Sequence, residues 1–467
     1  MLPKYPCCLG VALALAVAGC TCADIQPAVW PEQRSLGQEL VSYRPPRQEP
    51  ETVPSARAVT NPTGVLTLLQ AQALALLQHP RLAAFGWEVR AGEARTLQAS
   101  LPPNPEVGIE VEDFAGTGAL RSFRGTEITI HLSQRIELAG KRQKRTRVAA
   151  LERDLVAWDY EAARIAVLTQ VTQAFIEVLS AQERLRLNME LAELAEQMLH
   201  TVAERVRAGK VSPVEETRAQ VALSTSRIAL ERTQRELEAA RGRLVETWGS
   251  RPPAFERAAG TLEPLAAIPP ATRLAERIAQ NPDIARWITE MAQRQAALDL
   301  AGAQRIPDPT IGGGLRHGRE TSDNALVMQL SLPLPIFNRN QGGILEARYR
   351  LAKVQEERRA AEVQVRSALA EAYGALASAF VEVKRLYTEV LPGAQRAFEA
   401  VSEGYRQGKF GFLEVLDAQR TLFESRGRYL EVLAACHRAV AEVERVIGEP
   451  LGAVTDAPQP PQNGGTR

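Results

Sequence analysis

Residues 141–208 read KRQKRTRVAALERDLVAWDYEAARIAVLTQVTQAFIEVLSAQERLRLNMELAELAEQMLHTVAERVRA and contain neither glycine nor proline. At 1.5 Å per residue an unbroken helix of this length reaches roughly 100 Å, whereas globular helices average about 11–12 residues. Such a helix belongs to a coiled coil, a fibre or a long-walled assembly. Its apolar side chains recur every three or four residues, the period of one helix face: Val148, Leu151, Leu155, Trp158, Ala162, Ile165, Leu168, Val171, Phe175, Val178 and Leu179.

The net charge, the apolar runs and the motifs of the sequence argue against several classes of protein. The 467 residues carry a formal net charge of +1, which gives no support to a nucleic-acid partner. No uninterrupted apolar run reaches the roughly 18–20 residues of a membrane-spanning helix, so a membrane would have to be crossed by strands. The sequence has no nucleophile elbow, phosphate-binding loop or zinc-site spacing. It therefore predicts no enzyme, no cofactor and no metal site.

The N-terminus predicts export. Lys4 precedes an apolar run over residues 9–18, which has the charge and length of a signal peptide. The run ends Val17-Ala18-Gly19-Cys20, which resembles a bacterial lipobox. We therefore expect a signal peptide over 1–19, a lipidated Cys20 and an irregular N-terminal arm over 20–62. The alternative is an ordinary signal cleaved nearby, with Cys20 incidental. Among five cysteines, those left for the mature chain are too few for a disulfide framework.

Two strand pairs precede the long helices. Val107, Ile109 and Val111 alternate with polar residues or glycine, and a second alternating run follows a polar loop. A period of two indicates a hairpin with one apolar and one charged face. This pattern suits a transmembrane barrel with its apolar face toward lipid, although a soluble amphipathic hairpin would have a similar sequence. We expect the hairpins at about 105–137 and 309–337, the latter with a polar loop around 317–324.

The chain is an internal duplicate. Each half predicts a helix, a β-hairpin, a long helix, a tight turn and a returning helix. We expect repeats over 63–250 and 271–450, with helical hairpins at about 141–248 and 344–448, a linker over 251–270 and a disordered tail over 451–467. A shift of 199 residues aligns nine identities between residues 207–227 and 406–426: Arg207 with Arg406, Gly209 with Gly408, Lys210 with Lys409, Glu215 with Glu414, Ala219 with Ala418, Gln220 with Gln419, Leu223 with Leu422, Ser226 with Ser425 and Arg227 with Arg426.

Four amphipathic strands per chain cannot close a membrane barrel, because open edges in lipid leave backbone groups unpaired. Barrels of this kind start at about eight strands. The chain must therefore assemble, with eight strands as a dimer or twelve as a trimer. The residues alone thus predict an exported, oligomeric, mainly helical conduit anchored by strands.

The sequence resembles the outer-membrane efflux proteins of the TolC family over about residues 60–450. The resemblance rests on the duplicated layout, on the two Arg-x-Gly-Lys turns and on residues 415–419, VLDAQ. It implies a homotrimer with a twelve-stranded β-barrel in the outer membrane and an α-helical barrel in the periplasm. It also implies two protein partners, a periplasmic adaptor and an inner-membrane pump of the RND type. Residues 134–142, QRIELAGKR, and 332–342, LPLPIFNRNQG, resemble junctions of the CzcC-like heavy-metal branch.

The resemblance also assigns candidate site residues. At the turns, Gly209, Lys210, Gly408 and Lys409 are expected to dock the adaptor, although the glycines could serve only to reverse the chain. Behind the turns, Glu215, Tyr405, Glu414 and Asp417 are expected to form the periplasmic entrance, although a solvated helix face would look similar. Glu414 and Asp417 share a helix face, and threefold symmetry would turn each into a carboxylate ring that attracts cations. The family's arginine two residues after the second turn glycine is Phe410 here.

The function that follows is a passive outer-membrane duct of a tripartite efflux pump, most consistent with export of divalent heavy-metal cations. Drug efflux and type I protein secretion remain open within the same class. A periplasmic adaptor or a structural coiled-coil lipoprotein is the alternative from another class. An adaptor carries one helical hairpin, whereas this sequence predicts two hairpins and two strand pairs.

Overall fold

The computed structural model describes residues 27–46 and 61–455. Cys20, the signal peptide and residues 456–467 lie outside the described part. Contacts divide the chain into two compact units, which are described in turn. The first comprises Val89–Val156 and Ile288–Glu356 with residues 27–29, and the second comprises Trp30–Glu88 and Ala157–Trp287 with 357–455.

The elements follow the predicted order of two similar halves. The first half contains β1 (Gly64–Leu66), α1 (Leu68–Gln78), α2 (Pro80–Ser100), β2 (Glu106–Glu112), β3 (Glu127–Arg135), α3 (Lys141–Arg207) and α4 (Pro213–Glu246). The second contains β4 (Phe255–Ala258), α5 (Ala271–Arg277), α6 (Pro282–Ala285), α7 (Trp287–Ala303), β5 (Thr310–Gly318), β6 (Asp323–Ser331), α8 (Gln341–Arg385), α9 (Leu391–Arg406), α10 (Phe412–Ile447) and α11 (Leu451–Thr455).

The first unit contains a four-stranded antiparallel sheet in the order β2-β3-β5-β6. Its register places apolar residues on one face: Val107 pairs with Leu132, Ile109 with Ile130, and Ile130 with Leu315. This face is exposed, with Ile109 at 68% and Met328 at 89%. The other face is charged, and there Arg316 pairs with Glu127 at 3.0 Å. Both edge strands, β2 and β6, have one unpaired side within the described chain.

Two junctions connect this sheet to the long helices. At the start of α3, Lys141 is buried, and its Nζ donates to Asp308 Oδ1 at 2.7 Å. Asp308 Oδ1 also accepts the Leu138 N–H at 2.9 Å. Before α8, Asn340 Nδ2 donates to the carbonyl of Ala301 at 2.8 Å. The first junction therefore contacts the segment between α7 and β5, and the second contacts the last turn of α7.

The second unit has two buried apolar clusters. The larger joins α5, α8, α10 and α11, and includes Leu274, Leu376 and Val443. The smaller lies at the turns that end α3 and α9. An 18-residue window of α3 has a mean hydropathy of 1.3, enough to cross a membrane by length and composition alone, but 61% of that window is buried inside the chain. Core helices of soluble proteins share this property, so the window is weak support for a membrane span.

The four strands expected in the sheet are present. The described chain also contains a short parallel pair, β1 with β4, which is too brief to show a period of two. Three details of the sequence prediction were wrong. The second hairpin loop is only residues 319–322, since the strands extend into the predicted loop. The helix α8 begins at Gln341, three residues earlier than expected. The tail is helical over Leu451–Thr455, because Leu451 is buried and its N–H donates to Glu444 at 2.8 Å.

A π-helical turn over Leu386–Val390 separates α8 from α9, just before Pro392. Proline has no N–H and its ring clashes with the carbonyl four residues earlier, here that of Thr388. One wide turn relieves this clash and lets the helix continue.

Candidate functional site at the helix turns

The two tight turns have the same backbone structure. Gly209 and Gly408 have φ of +72° and +76°. The Lys210 N–H donates to the carbonyl of Arg205 at 2.9 Å, and the Lys409 N–H donates to that of Gly404 at 2.8 Å. This is the Schellman ending of a helix, which needs a left-handed residue and favours glycine. No atom lies within 4 Å of a Cβ built at either glycine, so backbone conformation rather than crowding requires glycine here.

Both lysines of the turns are exposed. Within the described residues, neither Lys210 nor Lys409 forms an ion pair. The turns therefore present free positive charge to solvent, as a docking surface for an acidic or polar partner requires. Adaptor docking at these four residues stays a prediction.

The two turns are held together by Tyr405. Its side chain is 3% exposed and packs in the smaller apolar cluster with Val202, Phe412 and Val415. The guanidinium of Arg205 lies over the Tyr405 ring at 4.3 Å, and its Nη1 donates to the Tyr405 carbonyl at 2.9 Å. A side chain at the end of α3 thus fastens the end of α9.

The hydroxyl of Tyr405 is buried and is not in hydrogen-bonding geometry with any described group. One carboxylate oxygen of Glu215 is likewise buried without a hydrogen bond in the described part of the chain. Burial raises the pKa of Tyr405, the neighbouring Arg205 lowers it, and the Glu215 carboxylate raises it again, for a net rise. The Glu215 carboxylate therefore acts electrostatically on Tyr405 without a hydrogen bond to it, and the role of the two residues at an entrance stays a prediction.

Phe410 occupies the position of the family's arginine. Its ring covers Gly404, where any Cβ would collide with it. Under the shift of 199 residues, Gly404 aligns with Arg205 and Phe410 with Val211. The second turn therefore has an aromatic–glycine contact in place of an ionic one, while the first turn supplies the arginine. Sequence reasoning missed Arg205, although its place four residues before a turn glycine could have identified it.

Glu414 and Asp417 stand on the exposed side of α10. They border a groove of about 490 Å³ between α9 and α10, whose lining also includes Ala397 and Leu413. Asp417 pairs with Arg420 at 3.0 Å, but both side chains are about 70% exposed, so the pair is weak. The structure brings these two carboxylates onto one face, separate from the half-buried Glu215 and the buried Tyr405.

Metal-binding clusters are absent from the described residues: no group of three or more His, Cys, Asp or Glu side chains is placed to hold an ion. His131 lies on the charged face of the sheet between Gly108 and Gly314. His317 lies at the end of the apolar face, opposite Ile128, and contacts Asn324 at 3.0 Å. The two histidines therefore lie on opposite faces of the sheet.

The fold and the paired turns define a channel-type membrane protein, and the family comparison agrees. The family model of the outer membrane efflux proteins matches residues 72–250 and 274–449. The chain belongs to this family, which confirms the predicted resemblance. It is an outer-membrane efflux component, and its family consists of channels rather than enzymes.

Two relatives and one solved structure illustrate this kinship. The cobalt-zinc-cadmium resistance protein CzcC of Cupriavidus metallidurans is 35% identical over 82% of this chain and 90% of its own length. The pyoverdine export outer membrane protein OpmQ of Pseudomonas aeruginosa is 24% identical over 80% of this chain and 83% of its own. The solved structure of CusC superposes with a TM-score of 0.69 at 17% identity, covering 88% of this chain and all of the CusC chain.

Proposed function

We propose that this protein is the passive outer-membrane duct of a tripartite efflux pump that exports divalent heavy-metal cations. The observation that carries the proposal is the sheet of the first unit. Its apolar face is exposed and both of its edges are unpaired. Both features are unfavourable in a single chain in water, because edge strands leave backbone groups unpaired and an apolar face is exposed to solvent. Closure by further copies in a bilayer satisfies both.

In this proposal three copies supply twelve strands to one barrel. The repeats over 63–250 and 271–450 each provide one strand pair and one helical hairpin, and the helical part extends into the periplasm. A periplasmic adaptor docks at Gly209, Lys210, Gly408 and Lys409, and connects the duct to an inner-membrane pump. Acylation of Cys20 adds a lipid anchor, which radiolabelled palmitate incorporation into the wild type but not into Cys20→Ala would support.

The entrance lies at the same turns. Glu215 and Tyr405 contribute to its closed packing, and Glu414 and Asp417 form two threefold carboxylate rings that attract cations. The cargo assignment is supported by the higher identity to CzcC than to OpmQ. The metal is cargo in this proposal, so no protein ligand cluster is required. Export of an organic molecule, as the name of OpmQ states for that protein, is the second candidate.

Planar bilayers test the duct directly. We expect a detergent-extracted oligomer that conducts ions and is blocked by divalent cations from the entrance side. Replacing Glu414 and Asp417 together by Ala should reduce that block, because it removes six carboxylates from a trimer. Glu424→Ala is a matched control, since Glu424 is equally exposed on α10 but farther from the turn. A non-conducting monomer would contradict the duct, and unchanged block in the double variant would contradict the rings.

Cargo is tested in cells. A strain lacking the protein should lose tolerance to zinc, cobalt or cadmium, and expression from a plasmid should restore it. Unchanged metal tolerance combined with greater sensitivity to organic compounds would favour the second candidate instead.

A further inference from the structure

The apolar surface of the sheet does not end with the strands. Beyond β6, Leu334 and Ile336 are 71% and 59% exposed, and Phe337 is 88% exposed. Beyond β3, Ile136 and Leu138 are exposed as well. An exposed apolar surface therefore continues from the sheet into both linkers that lead to the long helices.

Hydrogen bonds place the starts of α3 and α8 beside one short segment, the end of α7 with the residues that follow it. The Asn340 side chain, just before α8, donates to the Ala301 carbonyl at 2.8 Å and to Gln304 at 3.1 Å. Lys141, the first residue of α3, donates to Asp308 at 2.7 Å. Both helix starts therefore lie in one small region of the first unit, next to the linkers that carry the exposed apolar residues.

This region has a large excess of positive charge. Residues 135–147, 301–309 and 332–345 contain eight arginines and lysines but only two carboxylates. Both carboxylates are paired within the subunit, Glu137 with Arg145 at 2.5 Å and Asp308 with Lys141. Arg135 belongs to the charged face of the sheet. The other five form no ion pair within the described residues, and we call them the junction cations: Arg142, Lys144, Arg147, Arg305 and Arg339. Four of them are exposed, and Lys144 is half-buried.

The junction cations of α3 are not explained by the stability of that helix. Its first turn contains no acidic residue, although the helix dipole makes this end positive and favours anionic side chains there. Arg142 and Lys144 stand in this turn instead. An anion from outside the subunit would offset this unfavourable charge.

A second copy of the chain does not supply that anion. In a cyclic assembly with its axis along the helices, every copy presents the same residues at the same height. Neighbouring copies would therefore bring junction cations of like charge to this level, and the carboxylates of each copy are already paired. The partner has to be anionic and has to cover the apolar linkers as well. The surface of a bilayer with anionic lipids combines both properties, with acyl chains beside phosphate groups.

We propose that the junction cations bind the phosphate groups of anionic phospholipids in the leaflet that faces the helices, with Leu334, Ile336 and Phe337 among the acyl chains beside them. The site rests on the proposed function, because only a sheet closed into a membrane barrel brings this region to a bilayer surface. It adds to that function a preference for anionic over zwitterionic lipid. Each arginine or lysine close to an anionic surface favours binding by roughly fivefold.

Fluorescence quenching by brominated lipids tests this preference in the full-length oligomer reconstituted into vesicles. The reporter is Phe337→Trp, because Phe337 is exposed and lies beside Arg339, whose Nε donates to the Pro335 carbonyl at 3.1 Å. Quenching of the wild type, which lacks this tryptophan, is subtracted. In mixed vesicles of phosphatidylglycerol and phosphatidylcholine, we expect a relative binding constant of at least about fivefold in favour of phosphatidylglycerol.

Charge variants in the reporter background identify the side chains responsible. Replacing all five junction cations by Gln should lower the relative binding constant to about one, because Gln keeps a polar side chain but removes the charge. Replacing the four arginines among them by Lys should keep the preference, because the attraction depends on charge. The matched control replaces Arg227, Arg232 and Arg235 by Gln, since these are exposed on α4 outside the first unit, and it should behave as the reporter alone.

Four outcomes would overturn the lipid site. The first is equal quenching by the two lipids in an oligomer that still conducts, which leaves the duct intact. The second is no quenching by either lipid in a conducting oligomer, since another copy or protein then covers Phe337. The third is an unchanged preference in the five-residue Gln variant. The fourth is loss of the preference in inorganic phosphate but not in chloride of equal ionic strength, which would assign the junction cations to a soluble anion.

Failure of the proposed function would give a different result. A wild-type preparation that neither conducts ions nor, with the reporter, is quenched by any brominated lipid would contradict the membrane duct itself.

Discussion

Replacement of Arg205 by Met should loosen the closed turns. Methionine preserves the length of the side chain but removes the guanidinium that donates to the Tyr405 carbonyl at 2.9 Å and stacks over its ring at 4.3 Å. A hydrogen bond from a charged donor contributes about 1.5–3 kcal/mol, and a partly exposed cation–π contact about 0.5–1 kcal/mol. Because Arg205 is half-buried, we expect the hydrogen bond and the cation–π contact together to contribute about 2–3 kcal/mol. Their loss would shift the equilibrium from packed toward separated turns by roughly 30- to 150-fold.

The assay is single-channel conductance, combined with labelling of a cysteine at position 412. Phe412 is 1% exposed beside Tyr405, so a maleimide should reach Phe412→Cys only when the turns separate. We expect Arg205→Met to raise both open probability and labelling rate. Arg207→Met is the control, since Arg207 is exposed at the end of the same helix.

The informative contrast is Tyr405→Phe. The Tyr405 hydroxyl has no hydrogen bond to a described group, so its removal should leave conductance and labelling close to wild type. The opposite pattern, with Tyr405→Phe opening the channel and Arg205→Met behaving as wild type, would refute the reasoning. It would show that the Tyr405 hydroxyl, rather than the Arg205 guanidinium, keeps the two turns packed.

Three further predictions concern the sheet and its junctions, each measured as the temperature at which the oligomer dissociates. Gly314→Ala should destabilise the sheet by about 1–3 kcal/mol, because the new Cβ would lie 2.8 Å from the Cα of His131 on the facing strand. Gly313→Ala should be tolerated, because no atom lies nearer than 3.9 Å to its Cβ. Ala139→Gly should stabilise by roughly 1 kcal/mol, because Ala139 has φ of +57°, where a side chain is strained; an unchanged temperature would show that the junction relaxes around Ala139. Burial raises the pKa of Asp308, but the hydrogen bonds from Lys141 and the Leu138 N–H outweigh it, so the net pKa is lowered. The ionised Asp308 therefore stabilises the folded protein fully above its unfolded pKa of about 3.9, and this stabilisation is lost as the pH falls through the lower folded pKa. Asp308→Asn should abolish this pH dependence of the dissociation temperature.

The helices could be predicted closely because their signals are local. The helix expected over 141–208 is Lys141–Arg207, and the second helical hairpin, expected to end at about 448, ends with α10 at Ile447. The periodicity of apolar residues and the glycine or proline residues that end a helix are both recognised within a few residues of each position. The same holds for the two long hairpins, whose alternation identifies both the strands and their apolar face.

Contacts between distant segments could not be predicted. The pairing of β1 with β4 joins residues about 190 positions apart, and strands of three and four residues carry no recognisable pattern. The helix α11 depends on an acceptor in α10, Glu444, which no local signal announces. At the turns, the family resemblance indicated Tyr405 and Glu215, but whether they hydrogen-bond depends on side-chain placement within the folded cluster.

The sequence by itself therefore determined the duplicated layout, the long helices, the glycine turns and the need of an amphipathic sheet for further copies. Each of these follows from local period, backbone preference or the cost of unpaired edges. Only the tertiary structure decided that Arg205 contacts Tyr405, that Phe410 covers Gly404 and that Val221 of α4 stays exposed within the described part of the chain. Those features depend on which faces of the helices pack together. A helix with apolar residues on more than one side does not by its own sequence specify which side contacts which neighbour.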